Sequence, residues 1–231
     1  MKTNKFASLI LVFLFMTGCA LGRENIVQKQ PKKLNITDQS TIVCFGDSLT
    51  YGHGADTIKD SYPMVMQKWV NVPVINAGLN DDTTAGALVR IKKDVLDNNP
   101  VIVIIDFGGN DLYNSNPSLT IEQIENNFRQ MLNMLDLNKT QIYLIRYYNN
   151  WMHFLDPLFS FDRMLGRLAK DYDIEIIYDV WKGVWGNKEL KYNFTHPNSK
   201  GYKIIALNVF NAIKPTLEYN NIANRPLDPT R

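Results

Sequence analysis

Between residues 41 and 219, short apolar runs alternate with stretches of helical period, and that alternation leaves the chain few architectures. Runs rich in β-branched and aromatic residues cover 42–45, 72–76, 101–107, 141–147 and 174–178. Helical spacing of apolar residues covers 61–70, 82–98, 120–137 and 162–171, and a last helix opens at His196-Pro197. Pro63 stands near the start of the first helix, and Asp82 is placed to cap the second. Leu88, Ile91 and Val95 share one face of that second helix; Ile204, Ile205, Leu207 and Ile213 mark the buried side of the last. Strands alternating with helices predict a parallel sheet covered on both faces. With right-handed crossovers this is a three-layer α/β/α, doubly wound sheet of five strands, flavodoxin-like in layout.

Three small-residue motifs each follow directly on a predicted strand: Gly46-Asp47-Ser48, Asn76-Ala77-Gly78 and Gly108-Gly109-Asn110-Asp111. In a parallel sheet all carboxyl ends share one edge, so these motifs gather there, and His196 reaches the same edge after the fifth strand. Their chemistry is coherent. Acyl transfer needs a nucleophile, a base and donors for a developing oxyanion. Ser48 offers the hydroxyl and His196 the base. The Ser48 N–H, the Gly78 N–H and the Asn110 amide are the candidate oxyanion donors. Asp47 is expected to fix the nucleophile loop by hydrogen bonding rather than to take part in chemistry.

Gly46-Asp47-Ser48-Leu49, the Asn76/Gly78 pair, Gly108-Gly109-Asn110-Asp111 and His196-Pro197-Asn198 together resemble the sequence blocks of the SGNH (GDSL) hydrolase superfamily. The likeness is to its lysophospholipase, thioesterase and arylesterase branch, and it covers about 41–214. It implies a serine esterase working through an acyl-enzyme on Ser48, with His196 as base, Gly78 and Asn110 in the oxyanion hole, and neither metal nor other cofactor. Simple acyl esters or lysophospholipids are the implied substrates. Ser48 is not in a G-x-S-x-G elbow, so an α/β-hydrolase fold is not indicated.

Two positions depart from the family pattern. Where the family has aspartate three residues before the histidine, this chain has Asn193. Where its second block carries another glycine, this chain has Asp81. In the serine-protease triad, Asp→Asn costs roughly 10⁴ in kcat, yet an asparagine carbonyl orients the histidine in Cys-His-Asn proteases. Three readings stay open: Asn193 orients His196, another acid such as Asp179 or Glu189 stands in, or the enzyme is slow. The rival functions are an envelope glycan O-deacetylase and, because of Asn193, a weakened binding protein that kept the fold.

The amino terminus carries its own signal. Lys2 and Lys5 precede an apolar run over 6–16, then Thr17-Gly18-Cys19. This reads as a signal peptide over 1–18. Met16-Thr17-Gly18-Cys19 resembles a bacterial lipobox, which implies a lipidated Cys19, a membrane partner and a cell-envelope location, the outer membrane in a Gram-negative source. Residues 19–40 read as a flexible tether, 41–219 as the hydrolase domain and 220–231 as a loose tail. The net charge of +2 and the absence of a basic block argue against nucleic acid. Cys44 lies inside the first strand and reads as a small core residue. C-x-x-C and H-E-x-x-H spacings are absent.

An aromatic segment over 147–155 follows the fourth strand. Tyr147, Trp151 and Phe154 are its candidate acyl-binding wall, against a reading in which the segment covers the core. Trp181 and Trp185 either extend that wall or pack internally. His53 and His153 have no partner spacing and read as surface or rim residues.

Overall fold

The computed structural model describes residues 30–113, 118–146 and 158–223. Five strands form one sheet in the order β2-β1-β3-β4-β5, and every pairing is parallel. They are β1 (Thr41–Gly46), β2 (Val74–Gly78), β3 (Pro100–Asp106), β4 (Gln141–Ile145) and β5 (Glu175–Ile177). The helices are α1 (Ser48–Tyr51), α2 (Tyr62–Met66), α3 (Thr84–Asp94), α4 (Gly109–Tyr113), α5 (Ile121–Met134), α6 (Leu158–Tyr172) and α7 (Ser199–Tyr219). This is the expected flavodoxin-like order.

Alternation along the strands splits the core into two. Ile42, Cys44, Ile102, Ile104 and Tyr143 point to one face, where α2 and α7 bring Met66, Tyr202, Ile205 and Val209. Val43, Phe45, Val103, Ile105 and Leu144 point to the other, where α3, α5 and α6 bring Ile91, Phe128, Met131 and Leu165. Because both faces are covered, the strands read as continuous apolar runs rather than alternating ones.

Several boundaries differ from the sequence reading for local reasons. The second strand begins at Val74 rather than at residue 72, because Pro73 has no N–H to give to a ladder. Thr83, not Asp82, caps α3, its side chain accepting from Gly86 N–H. Asn198 caps α7 by accepting from Lys200 and Gly201 N–H, so His196-Pro197 lies before the helix. On α7, Ile205 and Ile213 are buried, while Ile204 and Leu207 are half-buried.

Side chains outside 41–219 also reach the core. Within 32–40, expected to belong to the tether, Leu34 and Ser40 are buried. Leu34 is buried and its N–H donates to Asn220 Oδ1 at 2.8 Å. Asn220 Nδ2 donates to Lys32 O at 3.0 Å, and the Lys32 ammonium donates to Leu137 O. Ile222 is fully buried, and Ala223 forms a bridge with Val70. A few apolar side chains in a polar stretch suffice to dock these segments. Residues 1–29 and 224–231, with the signal segment, Cys19 and the end of the tail, lie outside the described residues.

Arg90 on α3 ties the carboxyl ends of β1 and β2 together. Its guanidinium donates to Gly46 O at 2.9 Å, Ala77 O at 2.8 Å, Asp82 Oδ2 at 2.7 Å and Asp94 Oδ2 at 2.9 Å. It also lies 4.4 Å from the centre of the Phe45 ring. The planar fork of arginine serves four acceptors at once, which a lysine cannot. Removing it strands two carboxylates and two carbonyls with little water to replace it. We expect Arg90→Met to cost about 3 kcal/mol of stability, read from urea unfolding midpoints.

Candidate active site

The loop that carries Ser48 is built by β1 and closed by Asp47. After Gly46 the chain turns, and the Asp47 carboxylate accepts from Leu49 N–H at 3.0 Å, capping α1. Ser48, the first residue of α1, is half-buried. Its N–H donates to no protein acceptor among the described residues. Thr50 reaches back to Asp106 at 2.7 Å and meets the Tyr62 hydroxyl at 3.1 Å, which fixes the turn from below.

His196 sits 148 residues later, on a narrow hairpin. Lys191 and Pro197 form its bridge, and Tyr192 N–H donates to His196 O at 3.0 Å. His196 Nε2 lies 2.8 Å from Ser48 Oγ. On the other side of the ring, Nδ1 faces Asn193 Oδ1 and Thr195 Oγ1, each at 3.1 Å. This network assigns the proton to Nδ1 and leaves Nε2 to accept from the Ser48 hydroxyl.

Of the groups weighed for this position, Asn193 is the one whose side chain faces Nδ1. Neither Asp179 nor Glu189 is among the groups hydrogen-bonded to His196. The Asn193 oxygen is crowded, however. It accepts from His196 N–H at 2.8 Å, Thr195 N–H at 2.9 Å and Thr195 Oγ1 at 3.2 Å, besides facing Nδ1. A neutral carbonyl oxygen with two lone pairs serves this set less well than a carboxylate would.

Burial pushes the His196 imidazole down to about 4, and the nearby His53 pushes the same way. Asp81 opposes the shift and Lys191 adds to it. Lys191 is held in an aromatic cage, its Nζ 4.6 Å from the centre of the Trp185 ring, 5.1 Å from Trp181 and 5.5 Å from Phe194. Trp181 and Trp185 therefore pack around this ammonium. Lys191 also donates to Phe194 O, bracing the hairpin from within.

Gly78 is placed otherwise than the sequence reading had it. Its N–H is already taken by Asn76 Oδ1 at 3.0 Å. A Cβ on Gly78 would come within 2.1 Å of Tyr51 N, so the glycine is needed for close packing under α1. Three residues on, Asp81 takes φ +60°, the left-handed conformation that glycine favours. Its N–H donates to no protein acceptor among the described residues. The backbone thus keeps a glycine-like shape where the family glycine is replaced. Asn110 is buried, and its Nδ2 donates to Asp82 O at 2.8 Å, which brings the amide beside Asp81. Asp111 anchors this loop by accepting from Thr84 Oγ1 at 2.6 Å and from Thr84 N–H at 3.0 Å.

Ser48, Asp81, Asn110 and His196 therefore meet at the carboxyl edge of the sheet. Tyr147, Trp151 and Phe154, the candidate acyl wall, lie outside the described residues, as does His153. Among the described residues no group of three or more His, Cys, Asp and Glu side chains is placed to hold a metal ion. His53, Lys191 and Arg90 support the site without any motif to announce them.

The chain is similar to known proteins in sequence and in fold. Residues 44–204 match the model of the GDSL-like lipase/acylhydrolase family. The esterase TesA of Pseudomonas aeruginosa is 24% identical over 186 residues, which is 77% of this chain and 89% of that protein. The thioesterase 1/protease 1/lysophospholipase L1 of Escherichia coli is also 24% identical, over 78% of this chain and 86% of its own. An uncharacterised lipoprotein of Bacillus subtilis, YqeF, is 40% identical over 79 residues, 30% of this chain and 31% of that protein. A crystal structure of TesA superposes with a TM-score of 0.66 over 77% of this chain and 99% of that one, at 24% identity. The fold, the ordered blocks and the family match lead to one conclusion: the chain belongs to the GDSL-like lipase/acylhydrolase family and is a hydrolase of ester bonds.

Proposed function

We propose that this protein is a serine esterase that splits acyl esters through an acyl-enzyme on Ser48. The 2.8 Å contact between His196 Nε2 and Ser48 Oγ carries the reading, since it is already at proton-transfer distance. In the first half-reaction His196 takes the hydroxyl proton as Oγ attacks the ester carbonyl. The oxyanion rests against the N–H groups of Ser48 and Asp81 and the Asn110 amide. Asp81 thus takes the role that the sequence reading gave to Gly78. Collapse expels the alcohol, which receives the proton from His196. Water then attacks the acyl-enzyme with the same base, releasing the acid and restoring Ser48.

Lysophospholipids and simple acyl esters or thioesters are the substrates of this proposal, in keeping with the names of the relatives. Residues 147–155, next in sequence after β4 and rich in aromatic side chains, are the acyl wall of this proposal. Export over 1–18 and a lipid anchor on Cys19 would hold the enzyme in the cell envelope. The lysine-flanked apolar run, the cysteine after it and the kinship with a lipoprotein support that part. The neutral Asn193 gives His196 its tautomer but no counter-charge for the imidazolium that forms in each half-reaction, so turnover is slow for the fold.

Ser48→Ala should abolish hydrolysis of p-nitrophenyl butyrate in folded protein; unchanged turnover would overturn the reading. A base held at about 4 stays neutral, and competent, well into acid. The value of kcat/KM should therefore stay level from neutral pH downward and be half lost near pH of about 4, since this ratio follows the free enzyme's base. Asn193→Asp should raise kcat by about tenfold or more and move that acid limb upward, because an adjacent carboxylate favours the protonated ring. A pH–rate series on both proteins checks the two together.

A further inference from the structure

The turn after α1 reads Gly52-His53-Gly54, and it touches both halves of the site. His53 N–H donates to Ser48 O at 3.0 Å, so the turn is tied to the nucleophile. The Tyr202 hydroxyl on α7 donates to His53 O at 3.0 Å and fixes it from the other side. The His53 ring lies 4.5 Å from the His196 ring between centroids, tilted by 47°, and 5.7 Å from Tyr192, edge-on. Gly54 takes φ +93°, and a Cβ there would come within 2.6 Å of Tyr192 Cβ and 2.7 Å of Pro197 O. The turn therefore lies close against the hairpin that presents His196. None of the hydrolytic steps uses it.

The hairpin needs such a support. Asn193, Phe194 and Thr195 are all exposed, and the bonds that orient His196 through Nδ1 are neutral and shared. Neutral hydrogen bonds are about half as strong as charge-assisted ones. A flat ring packed on the imidazole restricts its tilt where the usual carboxylate is lacking. We propose that His53 is a positioning residue, whose ring packs on His196 and keeps Nε2 within reach of Ser48. This rests on the reading of Ser48 and His196 as nucleophile and base.

An imidazole in this place does more than an inert ring would. Two contacting imidazoles resist carrying protons together, so a charge on His53 disfavours one on His196. The other charged groups that act on His196 are Lys191 on its own hairpin and Asp81 on the β2 loop, while the phenols of Tyr192 and Tyr202 meet His53. Lys191 works in the same sense as His53, and Asp81 works against both. His53 thereby links alignment of the base to its freedom from protons in acid.

Two variants separate the ring from the charge. His53→Phe keeps a flat ring without an ionisable nitrogen; His53→Gln removes the ring as well. Imidazole NMR titration reads His196 directly, and p-nitrophenyl butyrate kinetics reads alignment. We expect the His196 midpoint to rise by about half a unit or more in both variants. We expect kcat to fall roughly tenfold in His53→Gln with little change in KM, and to be largely retained in His53→Phe. An unmoved midpoint in both folded variants, a wild-type kcat in His53→Gln, or an equal loss in His53→Phe would each overturn the proposal. Failure of the esterase reading itself would appear differently, as no Ser48-dependent turnover in the wild type. The titration of His196 would then decide the ring pairing alone.

Discussion

Parallel pairing of all five strands is the constraint from which the site follows. In such a sheet every strand delivers its carboxyl end to one edge, and the helices that return the chain cover both faces. Residues separated by 148 positions can then lie 2.8 Å apart. The arrangement depends equally on the loops at that edge being held still. Arg90 does this for the ends of β1 and β2, Asp111 for the loop after β3, and the Lys191 cage for the hairpin before α7. Each is a charged group satisfied by several partners in partly buried surroundings, so each constrains more than one segment at a time.

The replacement of a carboxylate by Asn193 separates two roles that one residue usually fills. Geometry survives: the carbonyl oxygen still faces Nδ1 and selects the tautomer. Electrostatics does not, because among the described residues no anion is hydrogen-bonded to the ring. The charges near His196 are instead mixed in sign, with Lys191 unfavourable to an imidazolium and Asp81 favourable. Substituting Asp81 for the family glycine thus adds a carboxylate within the field of the base while keeping the backbone shape that glycine would give. The two departures visible in the sequence thus bear on the same ring.

The layout was legible because it depends on periodicity and on small-residue motifs at strand ends, both of which are local. The convergence of Ser48, Asn110 and His196 on one edge was legible that way. The direction of a single N–H is not local in that sense. Asn76 Oδ1 captures the Gly78 N–H, and only the turn over 79–82 shows that Asp81 is the residue with a free donor. Its place in a glycine position was the available sign. His53 carried no sign at all, since its importance comes from a ring contact across the fold. Leu34 was passed over because one buried leucine in a polar stretch has no period to detect.

The mooring of Lys32 and Leu34 to Asn220 and Leu137 has a directional consequence. Leu137 stands just before β4 and Asn220 just after α7, so the chain enters at the end of the sheet away from Ser48. The chain before Lys32 therefore joins the domain on the side opposite the loops that carry Ser48 and His196, and nothing that happens at that junction crosses the edge where those loops meet.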